Sequence, residues 1–410
     1  MTRLPIDPVL PELVEHLRAQ GRAVLQAPPG AGKTTRVPLA MLEAELTSHK
    51  IIMLEPRRLA ARAAAERMAQ SLGERPGETV GYRVRGDAKT SGKTRIEVVT
   101  EGILTRMIQS DPELSGVGAV IFDEFHERSL NADLGLALCL EITGALRDDL
   151  ILLAMSATLD AGPVAKLMNA PILTSEGRSF PVESRWLEKP SGKSVRFEAA
   201  MADLIASAAQ DTVGGILAFL PGEGEIRRVQ AALEGRLPKA CVVRPLFGAM
   251  PFKAQQAAIQ PETDGRKVVL ATSIAETSLT IEDIRVVVDG GRARRARFDP
   301  GSGMSRLVTE KVTKAEATQR AGRAGRVAEG VAYRLWTKGE DGALTVFPPA
   351  EIEAVDLAGL ALELALWGTH PADLPFLTQP FDGAYTEAQA LLRMLGALDA
   401  QNRITKHGQT

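Results

Sequence analysis

Residues Gln26–Thr35 read QAPPGAGKTT. They overlap the end of a short apolar run, AVLQA, that begins at Ala23. A second apolar run, VPLAMLEAEL from Val37, has the spacing of a helix rather than of a strand. A strand, a glycine-containing turn, a Lys-Thr pair and a helix in this order are typical of a phosphate-binding P-loop. The stretch therefore predicts an α/β domain whose parallel sheet carries this loop at one edge.

Two glycines and two polar residues carry the predicted chemistry of this loop. Gly30 and Gly32 permit backbone amides at the start of the following helix to approach phosphate oxygens closely. Lys33 is expected to reach the outer phosphates of a nucleotide, and the Thr34 hydroxyl to hold magnesium. Ala27 occupies a position where the strict pattern has glycine, so only the short form GxGKT is present. Taken alone, the string is also compatible with a glycine turn that precedes a lysine by chance.

Strand-like runs recur along the chain and alternate with helical stretches. IIML, IEVVT, AVIFDE and ILLAMSAT follow the first run, and GGILAFL, CVVRPL, KVVLAT, IRVVVD and VAYRLW come after a Pro-, Gly- and Ser-containing break at 173–194. This alternation implies right-handed crossovers and parallel sheets covered on both faces. We therefore expect domains at 1–175 and 176–345, followed by a small, mainly helical module at 346–410.

Composition fits this division. The chain has 410 residues, 45% of them apolar, which favours more than one hydrophobic core. Its two cysteines, Cys139 and Cys241, form no CxxC pair and indicate neither a disulfide framework nor a Cys-rich zinc site. Acidic and basic residues nearly cancel, but basic residues are in excess between Arg285 and Arg326. No apolar run is long enough for a membrane helix, so we expect a cytoplasmic location without a membrane partner.

Two adjacent carboxylates follow the apolar strand in VGAVIFDEFHER, residues 117–128. Ligands of doubly wound sheets lie beyond the carboxyl ends of the strands. Asp123 is therefore expected to hold magnesium, and Glu124 to orient and deprotonate the attacking water. His126 is expected to contact the other domain. A solvated charged loop is the alternative, and the P-loop upstream argues against it.

An arginine-rich block, QRAGRAGR, occupies residues 319–326. Its arginines recur every third residue, so a helix that starts here would place Arg320, Arg323 and Arg326 on one face. Because a guanidinium is a rigid fork suited to phosphate oxygens, Arg323 and Arg326 are predicted to complete the nucleotide site from the second domain. A solvated basic face is the usual alternative. The two glycines favour the functional interpretation, since they weaken a helix unless backbone must approach a partner closely.

Taken in order, these and further blocks resemble the DEAH/RHA-type helicases of superfamily two over nearly the whole chain. The matching blocks are GAGKTT (30–35), EPRRLAAR (55–62), TEGIL (100–104), DEFH (123–126), SAT (156–158), FLPGEGEI (219–226), TSIAETSLTI (272–281) and QRAGRAGR (319–326). Phe125 stands where the family has alanine, while both carboxylates and the histidine are retained. The resemblance implies tandem RecA-like P-loop domains that bind ATP or another NTP with Mg²⁺ between them, and a nucleic acid along their opposite edge.

The resemblance also implies roles for individual residues. The residues implied in catalysis are Glu124, Gln319, Arg323 and Arg326, and those implied in magnesium binding are Thr34 and Asp123. The residues implied in nucleotide binding are Gly30, Ala31, Gly32, Lys33, Thr34, Thr35 and Asp289. The residues implied in contacts with the nucleic-acid backbone are Arg57, Arg58, Thr100, Glu101, Gly102, Thr272 and Thr280. The residues implied in coupling hydrolysis to strand movement are His126, Ser156 and Thr158, although SAT at a strand end could equally be a packing feature.

The resemblance also implies roles for two further segments. DPGSG, residues 299–303, predicts a hairpin turn, and the family's hairpin at this place acts as a wedge at the duplex junction. A surface hairpin with solvated arginines is the alternative. Residues from Val346 resemble a winged-helix module, after which the family normally continues into a ratchet domain. We therefore expect a truncated chain with an intact nucleotide site.

The sequence thus predicts an NTP-dependent RNA helicase or translocase whose strand contacts do not read bases. RNA rather than DNA is implied by the resemblance alone, and no protein partner is indicated. One alternative is a ribonucleoprotein remodeller that does not separate long duplexes. Another is a nucleotide-gated clamp without turnover, which would not need Glu124 to activate water. A small-molecule kinase is less compatible, since it would not need a second α/β half.

Overall fold

The computed structural model describes residues 4–157, 161–177, 180–192, 194–262, 264–276, 281, 283–299 and 304–409. The chain divides into two compact units, which are described separately below. Unit 1 comprises Met1–Gly177, Ala296–Arg306 and Pro349–Thr410, and unit 2 comprises Arg178–Arg295 and Leu307–Pro348.

Unit 1 is built on an eight-stranded sheet with the order β4-β3-β5-β2-β6-β7-β1-β8. Its strands are β1 (Arg22–Gln26), β2 (Lys50–Glu55), β3 (Val80–Val84), β4 (Asp87–Lys89), β5 (Ile96–Thr100), β6 (Val117–Phe122), β7 (Ile151–Ser156) and β8 (Ile172–Thr174). The pairings are parallel except for that of β3 with β4. Every residue of β6 and β7 is buried, as expected for central strands covered on both faces.

Helices connect these strands and cover the sheet. They are α1 (Leu10–Gln20), α2 (Lys33–Glu43), α3 (Arg58–Ser71), α4 (Glu101–Ser110), α5 (Leu130–Ala145) and α6 (Gly162–Met168). Two separate clusters of apolar side chains pack against the sheet, one including Leu25 and Met53 and the other Val24 and Leu54. Neighbouring strand residues thus point to opposite faces, and the sheet is buried from both sides.

Unit 2 contains a six-stranded sheet with the order β11-β12-β10-β13-β16-β9, and a separate pair of strands, β14 and β15. Its strands are β9 (Val182–Leu187), β10 (Gly215–Phe219), β11 (Cys241–Leu246), β12 (Arg266–Ala271), β13 (Ile284–Asp289), β14 (Arg292–Asp299), β15 (Met304–Lys311) and β16 (Gly330–Thr337), of which the ends of β14 and β15 belong to unit 1. All pairings in the larger sheet are parallel. Its helices are α7 (Phe197–Asp211), α8 (Glu223–Ala232), α9 (Phe252–Ile259), α10 (Lys314–Ala321) and α11 (Lys338–Gly342).

The C-terminal segment, Pro349–Thr410, belongs to unit 1. It contains α12 (Ala358–Trp367) and α13 (Asp382–Met394), where the sequence has helix-period apolar spacing. Leu360, Leu364 and Leu392 share one hydrophobic cluster with residues of α5, and Nε1 of Trp367 donates a 2.7 Å hydrogen bond to Glu141. Its assignment as a winged-helix module stays a prediction, as do the domain limits at 175 and 345.

The predicted fold class, two parallel-sheet α/β domains, is confirmed. The interpretation of 173–194 as a break without strands was wrong, because β9 lies inside it and forms an edge strand of the second sheet. β9 reads VESRWL, in which charged residues interrupt the apolar ones, as an edge strand tolerates. The predicted turn at DPGSG falls mostly on 300–303, outside the described residues.

Candidate nucleotide and nucleic-acid site

The predicted phosphate loop connects β1 to α2. Gly30 and Gly32 have φ angles of 86° and 94°, in the left-handed region that glycine enters without steric cost. A Cβ on Gly32 would lie 2.6 Å from Cδ1 of Leu4. Because α2 begins at Lys33, the amides of its first turn border the loop. The backbone therefore has the form that phosphate binding requires.

Ala27 differs from the strict P-loop pattern without disturbing the loop. Its backbone N–H donates to the carbonyl oxygen of Ser156 at 2.9 Å, which extends the pairing of β1 with β7. The residue is fully buried, and it is not among the residues with positive φ. Alanine is accepted here because this position does not need a positive φ.

Two polar contacts join the start of α2 to the residues after β6. Oγ1 of Thr34 donates to Oδ2 of Asp123 at 2.6 Å. Nζ of Lys33 lies 3.4 Å from Oε1 of Glu124, and both side chains are buried. Only β7 separates β1 from β6 in the sheet, so their carboxyl ends meet at one edge. The structure therefore brings the predicted phosphate-binding and magnesium-binding residues together.

The backbone after β6 turns both carboxyl groups toward α2. Glu124 has a φ of 51°, in the left-handed region that non-glycine residues rarely adopt. Its N–H donates to Oδ1 of Asp123 at 2.8 Å, and the N–H of Asp123 donates to the carbonyl oxygen of Leu54 at 3.1 Å. Such local strain is concentrated at functional sites. Here it accompanies the pair of carboxylates that sequence analysis assigned to metal and water.

Charge is poorly compensated around Asp123. Burial raises the pKa of its carboxyl group, and the neighbouring Glu124 carboxylate raises it further, while Lys33 and hydrogen bonds from Glu55 and Thr34 act in the opposite direction. A raised pKa means that the site disfavours the accumulated negative charge. A bound cation would reverse this preference, because it favours the ionised carboxylate.

His126 is a neutral side chain next to these carboxylates. Burial lowers the pKa of its imidazole, although Glu124 and Glu127 act in the opposite direction. Nδ1 accepts a 3.2 Å hydrogen bond from the backbone N–H of Ala157, so Nδ1 carries no proton. The 3.5 Å separation between Nδ1 and Oε2 of Glu124 is therefore not an ion pair. His126 instead links the residues after β6 to the residue that follows Ser156 at the end of β7.

Glu55 is a site residue that sequence analysis missed. It ends β2, next to β6 in the sheet, and is fully buried. Its carboxyl group interacts with that of Asp123 and acts to lower the pKa of Asp123. The signal was present in EPRR, where an acid occupies the carboxyl end of an apolar strand, as Asp123 nearly does.

The oxygen atoms at this edge fit a magnesium ion. Thr34 and Asp123 present a hydroxyl and a carboxylate oxygen side by side, and Mg²⁺ in phosphate-binding sites uses one or two protein oxygens and completes its shell with water and phosphate. Within the described part of the chain no group of three His, Cys, Asp or Glu residues could hold a metal ion.

In unit 2 the QRAGRAGR block lies at the end of α10, not at a helix start as predicted. α10 ends at Ala321, and Gly322–Gly325 form a short 3-10 helix. In a 3-10 helix, side chains three residues apart lie on the same side. Arg320 and Arg323 are buried, whereas Arg326 is partly exposed. The expected helix start was therefore wrong, while a common face for the three arginines stays a prediction.

Arg320 is the centre of a buried ion network. Its Nε donates to Glu276 at 2.7 Å and its Nη1 to Asp289 at 2.8 Å, and the guanidinium lies 5.0 Å from the ring centroid of Phe219. Asp289 also accepts from the N–H of Gly291 at 2.8 Å. Nε of Arg323 donates to the backbone oxygen of Glu276 at 2.9 Å. Glu276 and Asp289 thus hold the arginine block in place, a role that sequence analysis had not given to Glu276.

The predicted nucleic-acid residues of unit 1 lie at two helix starts. Arg57 precedes α3 and its Nη2 lies 3.2 Å from Oε2 of Glu127, while Arg58 is exposed. Thr100 precedes α4, and Glu101 accepts a 2.6 Å hydrogen bond from Oγ of Ser129. Gly102 is exposed, with open space around its Cα.

In unit 2, Thr272 directly follows β12 and is partly buried, and its N–H donates to the backbone oxygen of Leu246 at 3.2 Å. Gln319 is partly exposed on α10. Thr280 and Thr158 lie outside the described residues. The roles assigned to these positions stay predictions.

Comparison with known protein families identifies both α/β domains. Residues 9–167 match the model of the DEAD/DEAH box helicase family, and residues 199–328 match that of the helicase conserved C-terminal domain. The first range contains the phosphate loop and the carboxylates, and the second contains the arginine block. No helix in the described ranges is long and apolar enough to cross a membrane.

Curated relatives match the chain from end to end. It is 51% identical to the ATP-dependent RNA helicase HrpB of Escherichia coli over 412 residues, which covers 100% of this chain and 51% of that protein. It is 34% identical to the ATP-dependent RNA helicase HrpA of Escherichia coli, covering 99% of this chain and 32% of that protein. The HrpA protein of Borreliella burgdorferi is 33% identical, with 99% and 50% covered. The chain spans about half, or less, of the length of these relatives.

Solved structures agree in fold. The crystal structure of Escherichia coli DEAH/RHA helicase HrpB superposes with a TM-score of 0.95 at 51% identity, over 99% of this chain and 52% of that one. A second crystal structure, of the Escherichia coli DExH-box NTPase HrpB, gives a TM-score of 0.90 over 100% of this chain and 51% of that one.

Proposed function

The chain belongs to the DEAH/RHA-type helicases of superfamily two, and on that premise we propose that it hydrolyses ATP or another NTP to move on or unwind RNA. The observation that carries the proposal is the pair of contacts between α2 and the end of β6. Thr34 meets Asp123 and Lys33 meets Glu124, so phosphate, magnesium and water ligands converge at one edge of the sheet.

Each residue of this edge has a part in phosphoryl transfer. Backbone amides of Gly30, Ala31 and Gly32 bind phosphate oxygens, and Lys33 neutralises the outer phosphates. Thr34 and Asp123 hold Mg²⁺, which supplies charge neutralisation at the phosphates when bound. Glu124 orients the attacking water and accepts its proton.

We assign the stabilisation of the transition-state charge to residues of the second domain. Arg323 and Arg326 supply guanidinium groups, and Gln319 positions the water. Arg320 is excluded from this role because both of its sides are already paired with buried carboxylates. Oδ1 of Asp289 accepts from both Arg320 and Gly291, which leaves Oδ2 for the part in nucleotide binding that the resemblance implies.

RNA is the nucleic acid that the names of the relatives support. Residues at the starts of α3 and α4 in unit 1, and two threonines of the second domain, grip the phosphate and sugar of a strand, which positions the strand without reading its sequence. The residues proposed for this grip are Arg57, Arg58, Thr100, Glu101, Gly102, Thr272 and Thr280. The proposed RNA substrate places the proposed activity in the cytoplasm.

Steady-state hydrolysis tests the proposal. Turnover of ATP and of the other NTPs is measured with magnesium alone, with single-stranded RNA and with single-stranded DNA of the same sequence. We expect RNA to raise turnover more than DNA does, and omission of magnesium to abolish it. Turnover that is the same with and without either strand would contradict coupling to nucleic acid. Nucleotide binding without any turnover would instead support a clamp.

A further inference from the structure

Residues His126–Ser129, which follow the catalytic carboxylates after Phe125, form a turn that we call the HERS segment. A short 3-10 helix spans Phe125–Glu127, and the residues on either side of it, Glu124 and Arg128, have left-handed φ angles of 51° and 50°. Two non-glycine residues in this region are unusual so close together. The directions of the side chains between them are therefore set by a constrained backbone that begins at Glu124.

Glu127 forms an ion pair with Arg57, the first of the predicted nucleic-acid-binding residues. Its Oε2 lies 3.2 Å from Nη2 of Arg57, which directly precedes α3. Both side chains keep about a quarter of their surface exposed, 24% for Arg57 and 21% for Glu127. Arg57 therefore has its guanidinium oriented by the HERS segment while part of it faces solvent.

Ser129 contacts a second predicted nucleic-acid-binding residue, Glu101. Its Oγ donates a 2.6 Å hydrogen bond to Oε2 of Glu101, at the first turn of α4, and accepts one of 3.1 Å from the N–H of Ala132. Burial raises the pKa of Glu101 to about 7, and the hydrogen bond from Ser129 opposes this rise. Ser129 is thus both the N-cap of α5 and the contact between the HERS segment and α4.

Arg128 fixes the far end of the segment. Nε and Nη2 of Arg128 donate to the buried carboxylate of Asp133 at 3.1 and 2.9 Å, and Nη2 also donates to Thr378 at 2.8 Å. The N–H of Leu130 donates to Glu351 at 2.8 Å. This end of the HERS segment is therefore bound to α5 and to the C-terminal segment.

We propose that Glu127 and Ser129 are positioning residues that transmit the state of the nucleotide site to the strand grip of unit 1. The inference rests on the proposed function, because it requires that Arg57 and Glu101 act on a bound strand. Glu127 sets the orientation of Arg57, and Ser129 sets that of Glu101 and of the start of α4. The HERS segment thereby ties one set of catalytic carboxylates to two separate contacts with RNA.

The test compares three variants of the full chain, Glu127→Gln, Ser129→Ala and Ser129→Thr, with the unmutated protein. Glu113→Gln and Ser110→Ala are matched controls, because both residues are exposed and outside this network. Basal turnover, RNA-saturated turnover and the RNA concentration for half-maximal stimulation are measured for each. Basal turnover stays within two-fold in Glu127→Gln, while the half-maximal RNA concentration rises about five-fold, the effect of one ion pair of this kind.

Ser129→Thr is the conservative control for Ser129→Ala. Threonine keeps both the hydroxyl donor to Glu101 and the cap of α5, so Ser129→Thr retains RNA stimulation and Ser129→Ala loses it. Thermal unfolding measured alongside shows whether Ser129→Ala still folds. Glu127→Gln preserves shape and caps no helix, so it tests the proposal whatever the stability of Ser129→Ala.

A double-mutant cycle with Arg57→Ala identifies the route. If Glu127 acts through Arg57, adding Glu127→Gln to Arg57→Ala does not change the RNA concentration for half-maximal stimulation any further. Equal effects in both backgrounds would overturn this route. Normal RNA stimulation in Glu127→Gln and Ser129→Ala would overturn the inference alone. If RNA fails to stimulate the unmutated chain, the proposed function itself is wrong.

Discussion

Thr34 donates a 2.6 Å hydrogen bond to Asp123 across 89 residues of sequence. The contact joins the first helix after the phosphate loop to the residue that follows the central strand β6. It places a hydroxyl and a carboxylate oxygen where one magnesium ion can use both. Predictions about catalysis and stability follow from this contact and from the buried networks around it.

Loss of the Thr34 hydroxyl is expected to remove most magnesium-dependent turnover. Thr34→Ala deletes one of the two protein oxygens offered to the ion and should lower kcat about 100-fold, whereas Thr34→Ser should retain it within a few-fold. The measurement is steady-state hydrolysis over a magnesium titration. Thr386→Ala, at an exposed position of α13, is the control. Equal activity of Thr34→Ala and Thr34→Ser would exclude the hydroxyl as a ligand.

A side chain at Gly32 is expected to weaken nucleotide binding. Gly32 has a φ of 94°, and an added Cβ would lie 2.6 Å from Cδ1 of Leu4. The side chain of Leu4 can move, but the backbone strain remains, so Gly32→Ala should distort the loop and raise the Kd for nucleotide about ten-fold or more. Fluorescent-nucleotide titration measures this.

Gly144→Ala provides the control for the substitution at Gly32. Gly144 lies in the last turn of α5, one residue before its end, and an added Cβ there would meet open space. Alanine in a helix interior is more favourable than glycine by about 0.5–1 kcal/mol, so this variant should bind nucleotide normally and unfold at a slightly higher denaturant concentration. Unchanged affinity in Gly32→Ala would mean that the loop accepts a side chain.

The Arg320 network should be a main determinant of the stability of unit 2. Arg320→Ala leaves the carboxyl groups of Glu276 and Asp289 buried without their cation, which costs about 3–5 kcal/mol. Urea denaturation followed by circular dichroism measures the loss. Arg227→Ala removes an exposed arginine that is paired four residues away with Glu223, and should cost no more than about 0.5 kcal/mol. Similar losses in the two variants would contradict the burial of Arg320.

Glu101 should make stability depend on pH. Its pKa is about 7 in the folded chain against 4.5 for the unpaired group, mainly because of burial. The neutral form is therefore favoured on folding, so its contribution is complete below pH 4.5 and is lost as the pH rises through 7. Glu101→Gln stays neutral throughout. It should match the unmutated chain near pH 4.5 and exceed it by up to ~3 kcal/mol at pH 8.5.

The measurement is the free energy of unfolding from pH 4.5 to 8.5. Other titrating groups are common to both proteins and cancel in the difference between them. Glu113→Gln, at an exposed position, should show no such pH-dependent difference. A Glu101→Gln difference that does not grow with pH would contradict a raised pKa for Glu101.

Sequence reasoning predicted the features that are local in the chain. The apolar runs of β6 and β7, the glycines of the phosphate loop and the Lys-Thr pair each follow from neighbouring residue types. It missed features that depend on distant partners. Glu55 is a buried site residue only because β2 lies beside β6, and Arg320 is buried only because Glu276 and Asp289 lie across from it. β9 was missed because an edge strand carries charged residues that resemble those of a loop.

Binding and hydrolysis by Glu124→Gln test the proposed chemistry most directly. The substitution keeps the shape of the side chain next to Lys33 but removes its capacity to accept a proton. Single-turnover hydrolysis with saturating RNA should fall at least about 100-fold, while nucleotide affinity stays within a few-fold and Glu113→Gln behaves as the unmutated chain. Hydrolysis by Glu124→Gln within a few-fold of the unmutated rate would contradict the assignment of Glu124 as the group that activates water.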